Sequence, residues 1–196
     1  MTYTPVKPFA QSWRDMAHIP RWVILRKNRQ QNLAEHSYYV TLYADQVARL
    51  IGWRGNYGDL MRYALLHDID ETITGDIPGP AKRAAWDKTR AEERIERVMT
   101  AKYGLDVIDA RSSATREVRT IVSVADALDE VCYLLEEIMS GNTWVHTVYG
   151  EAFDRLASRW QCLPGDPDFI EEVWHKHISD LHAEQTKPPV LLEDML

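Results

Sequence analysis

One stretch limits the fold of this chain more than any other. From Ser112 or Ser113 to about Ser140 the residues read as a single long amphipathic helix, stopped by Gly141 and Asn142. A helix of that length needs partners to cover its apolar stripe. The rest of the chain offers helices for the purpose and little else. No alternating β-branched run occurs, and no Asn-Gly or Asp-Gly hairpin pair lies between such runs. Asn32 and Glu35 form a capping box that opens "LAEHSYYVTLYADQVARLI", closed at Gly52. Asp59 is placed to cap "LMRYALLHD", and Thr89 with Glu92 to open "RAEERIERVMTAKY", which Gly104 closes. Two further helices are predicted at about 143–160 and 167–183, with Pro167 suited to a first helical turn. The expected fold is all-α, one domain over residues 1–196, with an N-terminal arm (about 1–12) and a short apolar tail (about 184–196) able to dock on a neighbouring subunit.

Charge narrows the function. A net charge of −7 argues against a nucleic-acid polymer or an anionic membrane as partner. No run of 18 apolar residues is present and the N-terminus lacks an apolar signal core, so a cytoplasmic protein is expected, in the host cytoplasm if a phage encodes it. Two cysteines, without metal or redox spacing, fit a reducing compartment. Yet no acid separates Asp15 from Glu35, while Arg21, Arg26, Lys27 and Arg29 crowd into that segment. Such a cluster suits one small anion, or else it is a solvated loop.

The stretch "LLHDIDETITGDIPGP" ends a leucine-rich helix on His67, Asp68, Asp70 and Glu71. Acids at a helix C-terminus oppose the macrodipole, so something positive should compensate them. Asp126 poses the same question inside the long helix, within "TIVSVADALDEV", one turn beyond Val122 at the edge of the apolar stripe. A carboxylate there is costly unless paired or bound to a cation. With His36 early in its own helix, His36, His67, Asp68 and Asp126 make a mixed nitrogen and oxygen set, on three helices, suited to a divalent metal. The competing reading pairs Asp68 with Arg62 or Lys82 and leaves His67 a satisfied core histidine. His175 and His177 lie about 200° apart on a helix and cannot share a metal from one face. They read, with His146 and His182, as surface residues, and Trp144, Trp160 and Trp174 as core or interface.

The H…HD…D combination is the pattern of the HD superfamily of metal-dependent phosphohydrolases. "PRWVILRKNRQQNLAEHS", "LHDIDETITGDIPGPAK" and "VADALDEVCYLLEEIMSGN" together resemble the YfbR-type 5′-deoxynucleotidases and the related phage dATP triphosphohydrolases of the DatZ type. The resemblance implies a compact HD-domain helical bundle and one divalent transition-metal ion per site (Zn²⁺, Co²⁺ or Mn²⁺). It also implies a deoxynucleotide substrate and a homo-oligomer, dimer or hexamer. By the same likeness His36, His67, Asp68 and Asp126 match the metal ligands, and Arg21 matches the arginine that holds the phosphate. Trp22 matches a tryptophan packed on the nucleoside, where a flat indole leaves little room for a 2′-hydroxyl. Glu71 matches the acid that orients or deprotonates the attacking water. Asp76 matches the acceptor of the deoxyribose 3′-OH, and Pro80 and Lys82 belong to a turn that contacts substrate. Asp70 has no counterpart and reads as a solvated or supporting acid.

Monophosphate and triphosphate hydrolysis need the same metal centre and differ in the room and positive charge beyond the first phosphate. Arg26, Lys27, Lys82 and Arg83 could supply that charge. The 58-residue step from Asp68 to Asp126 resembles the shorter phage forms. Ile24 resembles the apolar residue those enzymes set against the purine 2-position. On this reading the favoured activity is dATP to deoxyadenosine plus triphosphate, ahead of a 5′-deoxynucleotidase. A regulatory binder with an inactive site is the reading from another class, and the presence of all four ligands and Glu71 counts against it.

Overall fold

In the computed structural model the chain is described over residues 11–79, 81 and 88–184. A 3₁₀ helix, Gln11–His18, leads into α1 (Leu33–Leu50), α2 (Tyr57–Leu66), α3 (Glu71–Thr74), α4 (Lys88–Tyr103) and α5 (Leu105–Ser112). Then follow α6 (Arg116–Met139), a 3₁₀ turn (Thr143–Val145), α7 (His146–Trp160), α8 (Pro167–His177) and α9 (Leu181–Glu184). Among the described residues there is no strand, only an isolated antiparallel bridge between Pro20 and Asn32. No helix among them is long and apolar enough to cross a membrane.

α6 is the axis of the bundle, packed chiefly against α1 and α7 and also against α2. Its stripe of Ile121, Val122, Val124, Ala125, Leu128, Val131 and Leu134 meets Val40, Ala44, Val47 and Ala48 of α1, and Leu156 and Trp160 of α7, in one buried cluster. A second cluster (Met16, Leu33, Leu66, Ile69, Met99 and Tyr103) lies beneath the turn joining α2 to α3. That small core holds the residues on either side of Ile69.

Several predicted boundaries move, each for a local reason. Asn32 caps α1 as expected, accepting from the Glu35 N–H at 2.9 Å, and Gly52 ends it at φ 65°. Asn56, not Asp59, caps α2, taking the N–H groups of Gly58 and Asp59, which leaves Asp59 in the first turn. Ser112 and Ser113 do not open the long helix. Their hydroxyls donate back to the Asp109 carbonyl and finish α5, a separate helix, while Thr115 caps α6 by accepting from the Val118 N–H. The helix predicted from Thr89 begins at Lys88, and that predicted over 143–160 opens with a 3₁₀ turn capped by Asn142. The one predicted over 167–183 ends at His177, with a turn before α9. Trp160 is core and Trp174 packs on it, whereas Trp144 lies on the surface beneath Arg26. The proposed arm up to residue 10 and the tail beyond Glu184 lie outside the described residues.

The segment from Arg21 to Gln31 forms a loop closed at its base, where the Arg21 N–H donates to the Gln31 carbonyl and the Leu33 N–H to that of Ile19. The far end of α6 clamps it. The buried Glu137 carboxylate accepts from the backbone N–H groups of Asn28 and Arg29 and from Asn142 Nδ2, at 2.7–2.8 Å. Tyr133 Oη donates to the Arg29 carbonyl at 2.6 Å. Burial pushes the Glu137 carboxyl upward, and these three donors outweigh it, holding its pKa below the ordinary value.

Candidate metal centre

His67 follows the last residue of α2 with helical dihedrals, and the turn continues through Ile69 so that Glu71 opens α3 one turn beyond Asp68. His67, Asp68 and Glu71 thereby share one side. α1 supplies His36 from its first turn and α6 supplies Asp126 from its middle. One ligand atom from each of His36, His67, Asp68 and Asp126 lies within 4.8 Å of the others. His36 Nε2 is 3.4 Å from Asp126 Oδ1 and 3.6 Å from Asp68 Oδ2, and His67 Nε2 is 3.3 Å from Asp68 Oδ2. Ligands about 2.1 Å from a zinc-sized ion stand roughly 3.4 Å apart along a tetrahedral edge. The spacing fits such an ion.

The imidazoles are set for it. His67 Nδ1–H donates to the Ala64 carbonyl at 2.7 Å, and His36 Nδ1–H donates to Asp129 Oδ2 at 2.6 Å. Both rings therefore turn Nε2 toward the cluster, and among the described residues neither Nε2 has a hydrogen-bond partner. Buried nitrogen atoms left this way are the mark of a place for a cation. Asp126 is held from behind by Arg159 of α7, whose Nη1 donates to Asp126 Oδ2 at 2.9 Å and to the Ser123 carbonyl at 2.8 Å. Neither Arg62 nor Lys82 is needed to explain Asp68.

Charge tells the same story. Burial and Arg21 push the His36 pKa down, but Asp126, Asp129 and Asp68 outweigh them and carry it to about 10. Burial pushes the carboxyls of Asp68 and Asp126 up, and the two histidines hold both below the usual range. With no metal bound, a proton on His36 stands in for the missing positive charge. The His36 pKa is raised over its usual 6.5, so its contribution to stability is complete below pH 6.5 and is lost as pH rises toward 10. Metal-stripped protein should melt lower at pH 9.5 than at pH 6.5, and Zn²⁺ should shrink the difference because the metal displaces that proton. Thermal melts at the two pH values, with and without Zn²⁺, measure this.

Arg21 reaches the rim of the quartet, with Nη1 3.5 Å from Asp68 Oδ2. Burial lowers its pKa, and Asp68, Asp126, Asp76 and Glu71 outweigh that and raise it. Its Nε is buried with no hydrogen-bond partner among the described residues. A buried guanidinium with an unused donor beside a metal quartet suits a phosphate oxygen. Trp22 is the one non-glycine residue described with positive φ, 59°, a conformation that costs about 1–2 kcal/mol for an L residue. Four contacts hold it there. Its N–H donates to Asp76 Oδ2 at 3.1 Å and its carbonyl accepts from Lys27 Nζ at 3.0 Å. Its indole stacks on Tyr133 at 5.4 Å between centroids, and indole Nε1–H donates to Gln31 Oε1 at 3.0 Å. Glu71 is buried beside the quartet.

Other predicted site residues are placed differently. Ile24, on the same loop, is 71% exposed. Pro80 and Lys82, with Arg83, lie outside the described residues. Asp70 points away and pairs with Arg111 at 3.1 Å. Of the basic cluster only Arg21 faces the quartet. Arg26 lies over Trp144, Lys27 holds the carbonyls of Arg21 and Trp22, and Arg29 pairs with Glu35 and Glu136. His146, His175 and His177 are surface residues as expected. Sequence reasoning missed Asp129, Gln31 and Arg159. Asp129 carried a signal: it follows Asp126 by three residues on the same apolar stripe, where the cost of an unpaired carboxylate applies equally.

The profile of the 5′-deoxynucleotidase YfbR-like family matches residues 8–176. The chain is 31% identical over 156 residues to the 5′-deoxynucleotidase yfbR of Photorhabdus temperata, covering 72% of this chain and 79% of that protein. It is 30% identical over 155 residues to a 5′-deoxynucleotidase of Klebsiella pneumoniae, covering 72% and 78%. In structure it is similar to the cyanophage S-2L HD phosphohydrolase DatZ, bound to dA and one catalytic Zn²⁺, with a TM-score of 0.69 at 19% identity over 92% of this chain and 99% of that one. An HD-domain phosphohydrolase from Listeria innocua gives a TM-score of 0.56 at 25% identity over 90% and 95%. With the histidine and aspartate quartet drawn from α1, the turn after α2 and α6, and a family match over most of its length, the chain belongs to the YfbR-like 5′-deoxynucleotidase family of HD-domain phosphohydrolases and is an enzyme.

Proposed function

We propose that this enzyme hydrolyses the 5′-phosphate ester of a deoxynucleotide at the His36, His67, Asp68 and Asp126 centre. The observation that carries the proposal is the convergence of two unpartnered imidazole nitrogens, two carboxylates and the buried guanidinium of Arg21 beside a constrained indole. A divalent ion held by the quartet would supply Lewis-acid activation of the phosphate and of water. Arg21 stabilises charge on the transferring phosphoryl group, and Glu71 orients the attacking water and takes its proton. Trp22 presents its open face to the nucleoside and Asp76 accepts from the 3′-OH. Neither Cys132 nor Cys162 is called on as a nucleophile.

A deoxynucleoside monophosphate is the better-supported substrate, in reverse of the order drawn from the sequence. The curated relatives at about 30% identity are 5′-deoxynucleotidases, and Arg26 and Lys27 are engaged within the protein, not left for further phosphates. The second reading, dATP to deoxyadenosine plus triphosphate, is favoured by Ile24, an exposed apolar side chain two residues from the indole. Product analysis tests both. Metal-stripped protein supplied with Zn²⁺, Co²⁺ or Mn²⁺ should release phosphate from dAMP and act at least tenfold less on AMP. Triphosphate from dATP, with dAMP untouched, would establish the second reading. No turnover with any metal would leave a binding protein.

A further inference from the structure

Gln31 belongs to no group of ligands or substrate contacts, yet it is 1% exposed and polar. Its side chain lies between the two halves of the site. Oε1 accepts from Trp22 Nε1–H at 3.0 Å, and Nε2–H donates to Asp129 Oδ2 at 2.9 Å. That same Asp129 oxygen accepts from His36 Nδ1–H at 2.6 Å. Its backbone carbonyl also receives the Arg21 N–H at 2.9 Å. We infer that Gln31 is a positioning residue that couples the nucleoside-facing indole of Trp22 to the metal-facing nitrogen of His36, through Asp129.

Hydrogen-bond inventory dictates the residue type. An indole N–H only donates and a carboxylate only accepts, so the residue between them must offer an acceptor on one side and a donor on the other. A primary amide does both in one plane. The reversed amide would set NH₂ against the indole N–H and a carbonyl against a carboxylate, so only one orientation satisfies the chain. A glutamate would lose the donor, and a hydrophobic residue would lose both bonds. Asp129 steers His36 directly, and Gln31 helps fix where its shared oxygen sits. The indole in turn is held in a strained backbone conformation at φ 59°, so loss of its anchor should let it move.

The test is a double-mutant cycle of Gln31→Met and Trp22→Phe on the full chain, read by Co²⁺ affinity from visible absorption. Phe keeps an aromatic ring for the stack on Tyr133 and deletes the N–H donor along with one ring of the indole, a loss of volume that the double-mutant cycle cancels. Partners of metal-bound histidines are typically worth ten- to a hundredfold in metal affinity, and Gln31 stands one bond further out. We expect Gln31→Met to weaken Co²⁺ about fivefold and Trp22→Phe about twofold, with the double variant no weaker than Gln31→Met alone. Under saturating Co²⁺, Gln31→Met should raise KM for dAMP about tenfold with kcat changed less than threefold. Wild-type Co²⁺ affinity in Gln31→Met, or effects of the two variants that simply multiply, would overturn the coupling. If Gln31→Met does not fold, Gln31→Asn carries the same expectations, being one methylene short of spanning both partners. The kinetic arm rests on the deoxynucleotide reading. Should the wild type hydrolyse no deoxynucleotide, that reading fails, while the Co²⁺ cycle still decides for or against Gln31.

Discussion

Replacing Asp126 with alanine is expected to lower turnover of dAMP by about a thousandfold or more, which is about 4 kcal/mol of barrier. The same change should remove most of the thermal shift that Zn²⁺ gives the metal-stripped protein. In the wild type, free Zn²⁺ at a thousandfold its Kd stabilises by about 4 kcal/mol. For a chain of this size that raises Tm by roughly 8–16 °C. Asp126 offers Oδ1 to the cluster, 3.4 Å from His36 Nε2, while Arg159 holds Oδ2. Alanine deletes one of two carboxylates and leaves the half-buried Arg159 beside the site without its carboxylate partner, so affinity for a dication falls for both reasons. Asparagine keeps an oxygen for Arg159 but carries no charge, and should be nearly as inactive. A full Zn²⁺ shift in the alanine variant would show that the ion binds elsewhere and would sink the quartet as the ligand set.

Arg21→Ala should separate chemistry from metal binding. Loss of one charge-stabilising donor at a reacting centre typically costs a hundred- to a thousandfold in kcat, and that is the expected loss here. Metal affinity should hold or rise. The guanidinium lies 3.5 Å from Asp68 Oδ2 and repels any cation bound there, as it already opposes the charged form of His36. Arg21→Lys keeps the charge without the planar fork and should fall between the two. Steady-state kinetics with dAMP and a Zn²⁺ titration read the two effects independently. A variant that loses Zn²⁺ affinity and turnover together would make Arg21 a support for the metal site, not a phosphate contact.

Much of this was open to view in the linear chain. Capping residues, glycine stops and apolar periodicity are local, so α1 and the C-terminal limits of α4 and α6 stand where the sequence put them. Boundaries failed where two capping residues competed nearby. Asn56 displaced Asp59 because its side chain reaches two backbone N–H groups, and Thr115 displaced Ser113 because the serine hydroxyls turn back onto the Asp109 carbonyl. Asp126 in an apolar stripe and the acids after Leu66 were anomalies visible locally, but His36 joined them as a candidate ligand only through the H…HD…D pattern, and the fold brings the four together.

The basic loop shows the opposite case. Four cations crowded into one acid-free segment looked like a single anion site, and composition could say no more. Only the fold decided that Lys27 would hold backbone carbonyls, Arg26 would lie over Trp144, Arg29 would pair with Glu35 and Glu136, and Arg21 alone would face the quartet. By itself, then, the sequence determined the all-α bundle and marked His36, His67, Asp68 and Asp126 as candidate ligands, since periodicity and caps are properties of short stretches and misplaced charge is visible within them. Tertiary structure decided which groups stand behind the ligands. Asp129 on His36, Arg159 on Asp126 and Glu137 on the loop arise from pairs 33 to 109 residues apart, and partners at such separations meet only once the helices have packed.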